Sequence, residues 1–586
     1  MRRPLGYAGK PMRLALLSLL AALPCLAGEI PPEAQFALQS FRDGEKARLE
    51  AAVGSVELMP LVRAELDVQP AQRRVVGNVS ITLTAKRAMS SVYLRLVPNA
   101  NHPGTVELLQ AAVNGQRAKV ARPDVSLVQL GIEPPVKAGA QVQLALRVQA
   151  TLPELPEGSD ALSGSGDGAG GDYGAFSAAA DVVGLSGILP MVPPETADGL
   201  PTEGPSGIGD LGTFEPTNFM VSVLVPSEWR AVAGGQLLGD LPETGGRHRT
   251  TWALAAAREF PLLAVKGYEV ASRQAGSVTV ESYYLARDAA SGKASLEHAV
   301  KALEQLESRV GPYPYKTLRV VQARFVGGAG GMEFPGLVTV STALYRGAID
   351  PLTALNLPDL NADPMLKAVL APVVAPLLKD SLEFTVAHEV AHQYFAMLVG
   401  NDPIAAPVAD EALTQHVALL LMEWRRGKAA AETVRQNQLK MSYQVYRMNG
   451  GADGPANRAT HEFGSNLEYA ALVYGKAPLL FDAQRKLLGE ATWEALLKRY
   501  VAENRYKWVT STTLTELAAK QVPGHAKKLR ELRQRWWAEA HGDEDVGTLN
   551  LERLMETMGG PDSPEPKVDP ALAKELEELL KHLSGE

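Results

Sequence analysis

Apolar positions along the first half of the chain recur mainly at every second residue. Between Leu61 and Tyr284, short runs such as 79–83 and 142–148 alternate Val, Ile or Leu with other side chains. Because successive side chains of a β-strand point to opposite faces, this period predicts strands with one buried face. Proline and glycine separate the runs, as in turns between antiparallel strands. We therefore predict an antiparallel β-rich domain over residues 28–290.

The period of the apolar positions becomes helical near residue 295. One predicted helix face collects Leu296, Val300, Leu303, Leu306 and Val310. Gly311-Pro312 predicts the end of this helix. Two short strand-like runs follow, Leu318–Val321 and Leu337–Val340, and from Met365 onward the pattern is almost wholly helical. We predict an α+β multidomain protein, whose second domain, over residues 291–545, is mostly α-helical.

The two ends of the chain carry separate signals. Basic residues precede an apolar run at Leu14–Leu23, and small residues follow at Ala27 and Gly28, which is typical of a cleaved secretory signal. The run is too short to span a bilayer, and no later segment is long and apolar enough. We predict a signal peptide over 1–27 and a periplasmic or secreted protein with no transmembrane segment in the mature chain. A proline-containing linker and a helix are predicted over 546–586.

Cys25 is the only cysteine and leaves a second route of export open. A lipoprotein signal has leucine three residues before its cysteine and a small residue directly before it, but Ala22 and Pro24 stand there. Cleavage near Ala27 is therefore favoured over a lipid anchor. It leaves a mature chain without cysteine, so core burial and bound metal, rather than disulfides, have to stabilise the fold.

Length and charge narrow the possible architectures and partners. A chain of 586 residues exceeds what one hydrophobic core usually supports, in line with several domains. Its formal net charge is −8. Nucleic-acid binding needs clustered lysine and arginine, so we expect no nucleic-acid partner.

The segment Leu382–Val399 carries the candidate chemistry. It reads LEFTVAHEVAHQYFAMLV and has a helical pattern. Residues four apart lie on one helix face, so His388 and His392 can bind the same metal ion, with Glu389 close enough to hold a water. A catalytic zinc site takes a third protein ligand and keeps a position open. Glu411, at the start of the next helical segment, is the natural third ligand; a pair of buried core histidines is the alternative.

The pentad and its spacing to the third ligand resemble those of the gluzincin aminopeptidases, the family of membrane alanyl aminopeptidase and leukotriene A4 hydrolase. Three further stretches appear in the family's order. Gly311–Tyr315 resembles the turn before the first catalytic-domain strand, and Gly330–Gly336 resembles the G-x-M-E-N motif. Tyr474–Ala477 resembles the Y-x-K-G motif, with Tyr469 five residues earlier. The resemblance covers residues 295–490 and implies a β saddle domain before a thermolysin-like catalytic domain.

The resemblance also implies roles for individual residues. One Zn²⁺ per chain activates water, Glu389 acts as general base, and Tyr474 stabilises the oxyanion during hydrolysis of peptide substrates. Glu333 accepts the α-ammonium of the substrate, which makes the enzyme an aminopeptidase. Leu337–Val340 is expected to be the edge strand that pairs with the substrate. The substrate-binding residues implied are Glu333, Gly330, Gly331, Met332 and Tyr469.

The departures from the family pattern affect specificity more than chemistry. Phe334 replaces the final Asn of G-x-M-E-N, and Ala477 replaces the final Gly of Y-x-K-G. A second anchor for the ammonium is expected from the β domain, but Gly184–Pro194 offers no carboxylate before Glu195. Three alternatives stay open: an endopeptidase, an epoxide-hydrolase-like enzyme on the same zinc site, and a non-catalytic binding module.

Several polar residues also have a purely structural interpretation. Tyr474 lies in an apolar helical run and could be a core tyrosine, and Glu333 could be a surface turn residue. Lys476 is interpreted as structural. His416 and His461 fall outside the metal motif and are interpreted as ordinary polar groups.

Overall fold

The computed structural model describes residues 32–155, 173–205, 207–212, 214–347 and 380–548. The predicted signal peptide with Cys25 and the predicted linker and helix, apart from residues 546–548, lie outside these residues and stay predictions. In the part described, no helix combines the length and apolar character needed to cross a membrane.

Among the described residues, fifteen strands precede the five-stranded sheet of the second region, and the period-two runs predict strands over this part of the chain. They are β1 Leu61–Gln69, β2 Arg74–Thr84, β3 Met89–Arg95, β4 Val106–Val113, β5 Gln116–Arg117, β6 Val120–Ala121, β7 Leu127–Val136, β8 Gln141–Thr151, β9 Phe176–Ala178, β10 Val182–Leu185, β11 Thr217–Pro226, β12 Trp229–Ala233, β13 Gln236–Glu243, β14 Arg247–Ala257 and β15 Leu262–Lys266. Along β8, Val142, Leu144, Leu146 and Val148 are buried and the residues between them are exposed, because only one face meets the core.

The described residues of this region form three sheets. The largest has eight strands in the order β13-β14-β11-β1-β2-β8-β4-β5, and smaller sheets have the orders β12-β15-β10-β9 and β3-β7-β6. Pairing is antiparallel except between β1 and β11, which run parallel. The predicted antiparallel β region is therefore confirmed, with one parallel pair that the alternation of side chains does not reveal.

A five-stranded sheet begins the second region. Its strands are β16 Tyr268–Ala275, β17 Val278–Leu285, β18 Thr317–Ala323, β19 Gly331–Phe334 and β20 Leu337–Ser341. The order is β16-β17-β18-β20-β19, so strands on both sides of the predicted boundary at residue 290 share one sheet. The expectation that Leu337–Val340 is the edge strand is wrong, because β20 is paired on both sides. The edge strand is β19.

Helices dominate the remainder of the described chain. They are α1 Pro32–Leu38, α2 Glu45–Val53, α3 Ala289–Arg309, α4 Thr342–Arg346, α5 Ser381–His392, α6 Glu411–Arg426, α7 Lys428–Val434, α8 Met441–Met448, α9 Asn466–Tyr469, α10 Leu479–Leu488, α11 Glu490–Asn504, α12 Thr513–Gln521, α13 Ala526–Arg533 and α14 Gly542–Asp545. The α+β class is confirmed, with a β region followed by a mostly helical one.

Helix α5 is shorter than its sequence pattern predicts. The pattern continues to Val399, but the helix ends at His392. Ala396 adopts a positive φ of 148°, and Phe395 pairs with Val399 in an isolated bridge. The chain therefore turns directly after the second histidine, and the carbonyl oxygen of Phe395 lies 3.0 Å from Nδ1 of His392.

Candidate active site

Two helices bring the three predicted metal ligands together. Helix α5 places the Nε2 atoms of His388 and His392 2.9 Å apart. Glu411 is the first residue of α6, whose N-cap Asp410 accepts a hydrogen bond from the Glu411 backbone N–H at 2.9 Å. Oε2 of Glu411 lies 3.3 Å from Nε2 of His388 and 3.2 Å from Nε2 of His392. Three potential ligand atoms thus face one point.

The spacing and burial of these atoms fit a metal ion. Zinc–ligand distances of about 2.0–2.1 Å at tetrahedral angles put ligand atoms about 3.3 Å apart. The observed separations of 2.9, 3.2 and 3.3 Å are close to that value. The side chains are also buried, with exposures of 8% for His388, 1% for His392 and 2% for Glu411. The donor set of two imidazoles and one carboxylate is that of a catalytic zinc site.

The charges around the ligands favour a bound cation. Burial alone would raise the pKa of Glu411, but the two histidines that face it hold its pKa below the ordinary value. Burial lowers the pKa of His388, and the neighbouring His392 lowers it further. Glu411 is therefore an anion and His388 a neutral imidazole, the forms in which both bind metals.

Glu389 faces the same space from α5 without joining the ligand set. It is 3% exposed, and its Oε2 atom has no hydrogen-bond partner among the described residues. Burial and the nearby carboxylate of Glu333 raise its pKa well above the ordinary value. A buried carboxyl group of this kind has an affinity for a proton that suits a general base.

Gly331 at the start of β19 keeps the edge strand close to Glu389. A Cβ atom at residue 331 would overlap the carboxylate of Glu389. Glycine is required here because the strand backbone passes directly over the catalytic candidate.

We expect Gly331→Ala to lower kcat by about 10-fold or more, since a displacement of a catalytic group by about 1 Å can cost 100-fold. Gly239→Ala in β13, where a Cβ meets nothing within 4 Å, is the control. Steady-state kinetics and circular dichroism check the prediction. Unchanged kcat in folded Gly331→Ala protein would contradict the close packing.

Two tyrosines close the other side of the site. A π-helical segment, Ala470–Lys476, carries Tyr474, whose ring centroid lies 6.1 Å from that of His388. Tyr469 precedes it at the end of α9, with ring centroids 5.7 Å apart. Burial and the charge of Glu411 raise the pKa of Tyr474 well above 10. Its hydroxyl group is therefore protonated and can donate a hydrogen bond.

Glu333 on edge strand β19 has a partner that the sequence analysis did not identify. Carboxylate oxygens of Asp210, Glu333 and Glu411 all lie within 4.8 Å of one another. Burial raises the pKa of Asp210 well above its ordinary value, and Glu333 raises it further. Asp210 comes from the β region, where a second carboxylate was expected but sought in Gly184–Pro194. It follows an irregular segment rich in Gly and Pro, which offers no periodic signal.

Gly209 explains how Asp210 comes so near the tyrosines. Its φ is +77°, which favours glycine, and a Cβ there would lie 2.9 Å from the hydroxyl of Tyr469. The Gly209 backbone N–H donates to the hydroxyl oxygen of Tyr173 at 3.0 Å. The irregular segment is thus fixed against the cleft.

All the predicted site residues except His392 line one cleft of about 260 Å³. Its lining includes the ligands His388 and Glu411, with Glu389 and Tyr474. It also includes all five predicted substrate-binding residues: Gly330, Gly331, Met332, Glu333 and Tyr469. Because β19 forms one wall with a free edge, an extended peptide could add to the sheet beside the metal ligands.

Two other polar residues, Lys476 and His416, lie outside this cleft. Nζ of the buried Lys476 donates to Asp453 at 2.9 Å and to the carbonyl oxygens of Gly454 and Glu539. His416 accepts a hydrogen bond from the Trp493 indole N–H at 2.9 Å. These contacts give both side chains a structural role.

Comparisons with known proteins relate the fold to solved structures. No family model matches the sequence, and no curated protein matches it. The structure is similar to that of an M1 zinc metallopeptidase from Deinococcus radiodurans, with a TM-score of 0.56 and 19% identity over 82% of this chain and 94% of that chain. A mutant of that enzyme bound to a Tyr-Ser-Ala substrate gives a TM-score of 0.55 at 19% identity, with the same coverage. The chain therefore has the fold of these metallopeptidases.

Proposed function

We propose that the protein is a zinc-dependent aminopeptidase of the M1 gluzincin type, which removes N-terminal residues from peptides. The observation that carries the proposal is the convergence of His388, His392 and Glu411 on one point, with Glu389 beside it. Shared fold with M1 zinc metallopeptidases supports the same function. A non-catalytic module would not need an unpaired buried carboxylate next to a complete ligand set.

His388, His392 and Glu411 would hold one zinc ion. When bound, zinc would act as a Lewis acid, which lowers the pKa of water and polarises a carbonyl group. Glu389 accepts the proton of the attacking water and transfers it to the leaving amine. The Tyr474 hydroxyl donates a hydrogen bond to the oxyanion that develops on the former carbonyl oxygen.

The substrate's N-terminus is assigned to the acidic pair Asp210 and Glu333. An α-ammonium group between these partly buried carboxylates would supply a compensating positive charge. The peptide backbone would pair with edge strand β19 and present its first peptide bond to Glu389. A solved relative in fold binds the tripeptide Tyr-Ser-Ala, which fits a peptide substrate. An internal peptide segment or an epoxide would leave the acidic pair without a counter-charge, so both alternatives are disfavoured.

Substitution of Glu333 tests this assignment. We expect Glu333→Ala to lower kcat/KM for peptides with a free N-terminus by about 10- to 150-fold, the value of a charge-assisted hydrogen bond. An N-acetylated peptide cannot make the contact, so it should be a poor substrate that the mutation changes little. Paired assays of free and acetylated peptides measure the difference.

Glu107→Ala, an exposed residue of β4, is the matched control. If wild-type protein cleaves the acetylated peptide as fast as the free peptide, the acidic pair does not recognise an amino terminus. The endopeptidase alternative would then replace the aminopeptidase.

A further inference from the structure

A second, smaller cavity adjoins the active-site cleft. Its volume is about 30 Å³, and it shares Asp210, Met332 and Glu333 with the cleft. Glu259 and Asp410 add two more carboxyl groups to its walls. Among the described residues, no lysine or arginine lines it. The cavity therefore adjoins the proposed ammonium site and has four carboxyl groups in its walls.

A buried hydroxyl group marks the cavity as a polar binding site. Ser186 is 4% exposed and lines the cavity, and its Oγ atom has no hydrogen-bond partner among the described residues. An unpaired buried hydroxyl costs free energy unless a ligand or water satisfies it. Ser186 thus provides, independently of the carboxylates, an unsatisfied hydrogen-bonding group at the wall of this space.

Glu259 is held in place by its neighbour. The buried Arg258 guanidinium donates to the carbonyl oxygens of Phe214 at 3.0 Å and Lys507 at 3.1 Å. Its Nε donates to the carbonyl oxygen of Met397 at 3.3 Å. Arg258 therefore ties the loop between β14 and β15 to the helical region and leaves Glu259 at the cavity wall.

The charge and shape of the cavity favour a cationic group at the end of an aliphatic side chain. Burial raises the pKa of Glu259 to about 8, and the nearby carboxylate of Glu333 contributes to the increase. Leu211, Met332 and Met397 supply apolar wall area. A side chain of methylene groups that enters from the cleft past Met332, which lines both spaces, would place its terminal ammonium at Glu259.

We propose that this cavity binds the side-chain ammonium of the substrate's first residue, so that peptides beginning with lysine or ornithine are preferred. The inference rests on the proposed aminopeptidase function, which places the α-ammonium at Asp210 and Glu333. The cavity holds little more than one or two water-sized groups, which suits a compact ammonium and excludes an aromatic ring.

Lysine and norleucine substrates test the proposal, because norleucine keeps the four side-chain carbons and lacks the ammonium. For aminoacyl amides, we expect kcat/KM of wild-type protein to be about 10-fold or more higher with lysine. Glu259→Gln should reduce this lysine-to-norleucine ratio by a similar factor, and Glu259→Asp, which keeps the charge, should restore part of it. Glu228→Gln, an exposed residue between β11 and β12, is the matched control.

A binding measurement gives a second readout that needs no turnover. Calorimetry with free L-lysine and L-norleucine should show tighter binding of lysine to wild-type protein and a smaller difference in Glu259→Gln. Equal affinities and equal cleavage of the two substrates would overturn the inference and leave the aminopeptidase intact. If zinc-loaded protein cleaves neither substrate, the proposed function fails, and the two affinities still decide whether the cavity binds an ammonium.

Discussion

Substitution of Glu389 by Gln is expected to lower kcat by about 10²- to 10⁴-fold, the contribution of a well-placed general base. The amide matches the carboxylate in shape but cannot accept the proton of the attacking water. Because Glu389 is not among the three converging ligands, the variant should keep its zinc and its fold. Stopped-time peptide hydrolysis, elemental analysis and thermal melting measure these three properties.

Glu383→Gln is the matched control for this substitution. Glu383 lies on the same helix α5, and its carboxylate pairs with Arg425 at 2.8 Å instead of facing the cleft. We expect the control to keep near wild-type kcat. Near wild-type turnover in Glu389→Gln would show that another group activates the water.

Removal of one ligand is expected to have the second large effect. His392→Ala leaves one imidazole and one carboxylate facing the metal position. Loss of an outer-shell partner typically lowers metal affinity by about 10- to 100-fold, and loss of a direct ligand should lower zinc affinity by more than that. Activity should fall with it. His461→Ala is the control, because that imidazole lies outside the cleft and is about half exposed. Zinc content per chain after dialysis measures the effect, and a wild-type value in His392→Ala would refute the ligand assignment.

The metal ligands could be predicted because their arrangement is mostly local. His388 and His392 are four residues apart in a helix, and helix geometry alone puts them on one face. Glu411 is the first residue of the next helix, where its capping neighbour Asp410 marks the start. The one long-range requirement is the packing of α5 against α6, which the buried apolar residues of both helices provide.

The acidic side of the site could not be predicted in the same way. Asp210 and Glu259 both lie in connections without regular secondary structure, and their proximity to Glu333 depends on how the β region packs against the helical region. Strand order is equally non-local. The apolar run Leu337–Val340 identifies a strand, but its pairing on both sides depends on residues distant in the chain.

The two residues that depart from the family motifs, Phe334 and Ala477, both accept hydrogen bonds through their backbone carbonyl oxygens. The carbonyl oxygen of Phe334 accepts a hydrogen bond from Nε2 of Gln393 at 2.9 Å, while its side chain is buried. Gln393 also accepts from the Gly336 backbone N–H at 2.9 Å, so it fixes the turn between β19 and β20. The carbonyl oxygen of Ala477 accepts from the Trp537 indole N–H at 3.0 Å. These contacts do not require the side chains that the family motifs carry.

The central claim is that zinc held by His388, His392 and Glu411 makes this chain an aminopeptidase. Its most direct test is the rate at which purified protein releases the first residue from an unblocked tripeptide, measured before chelation, after chelation and after zinc is restored. We predict release of the N-terminal residue that is lost on chelation and recovered with about one zinc per chain. Release that persists without zinc, or no release by the fully loaded protein, would contradict the account.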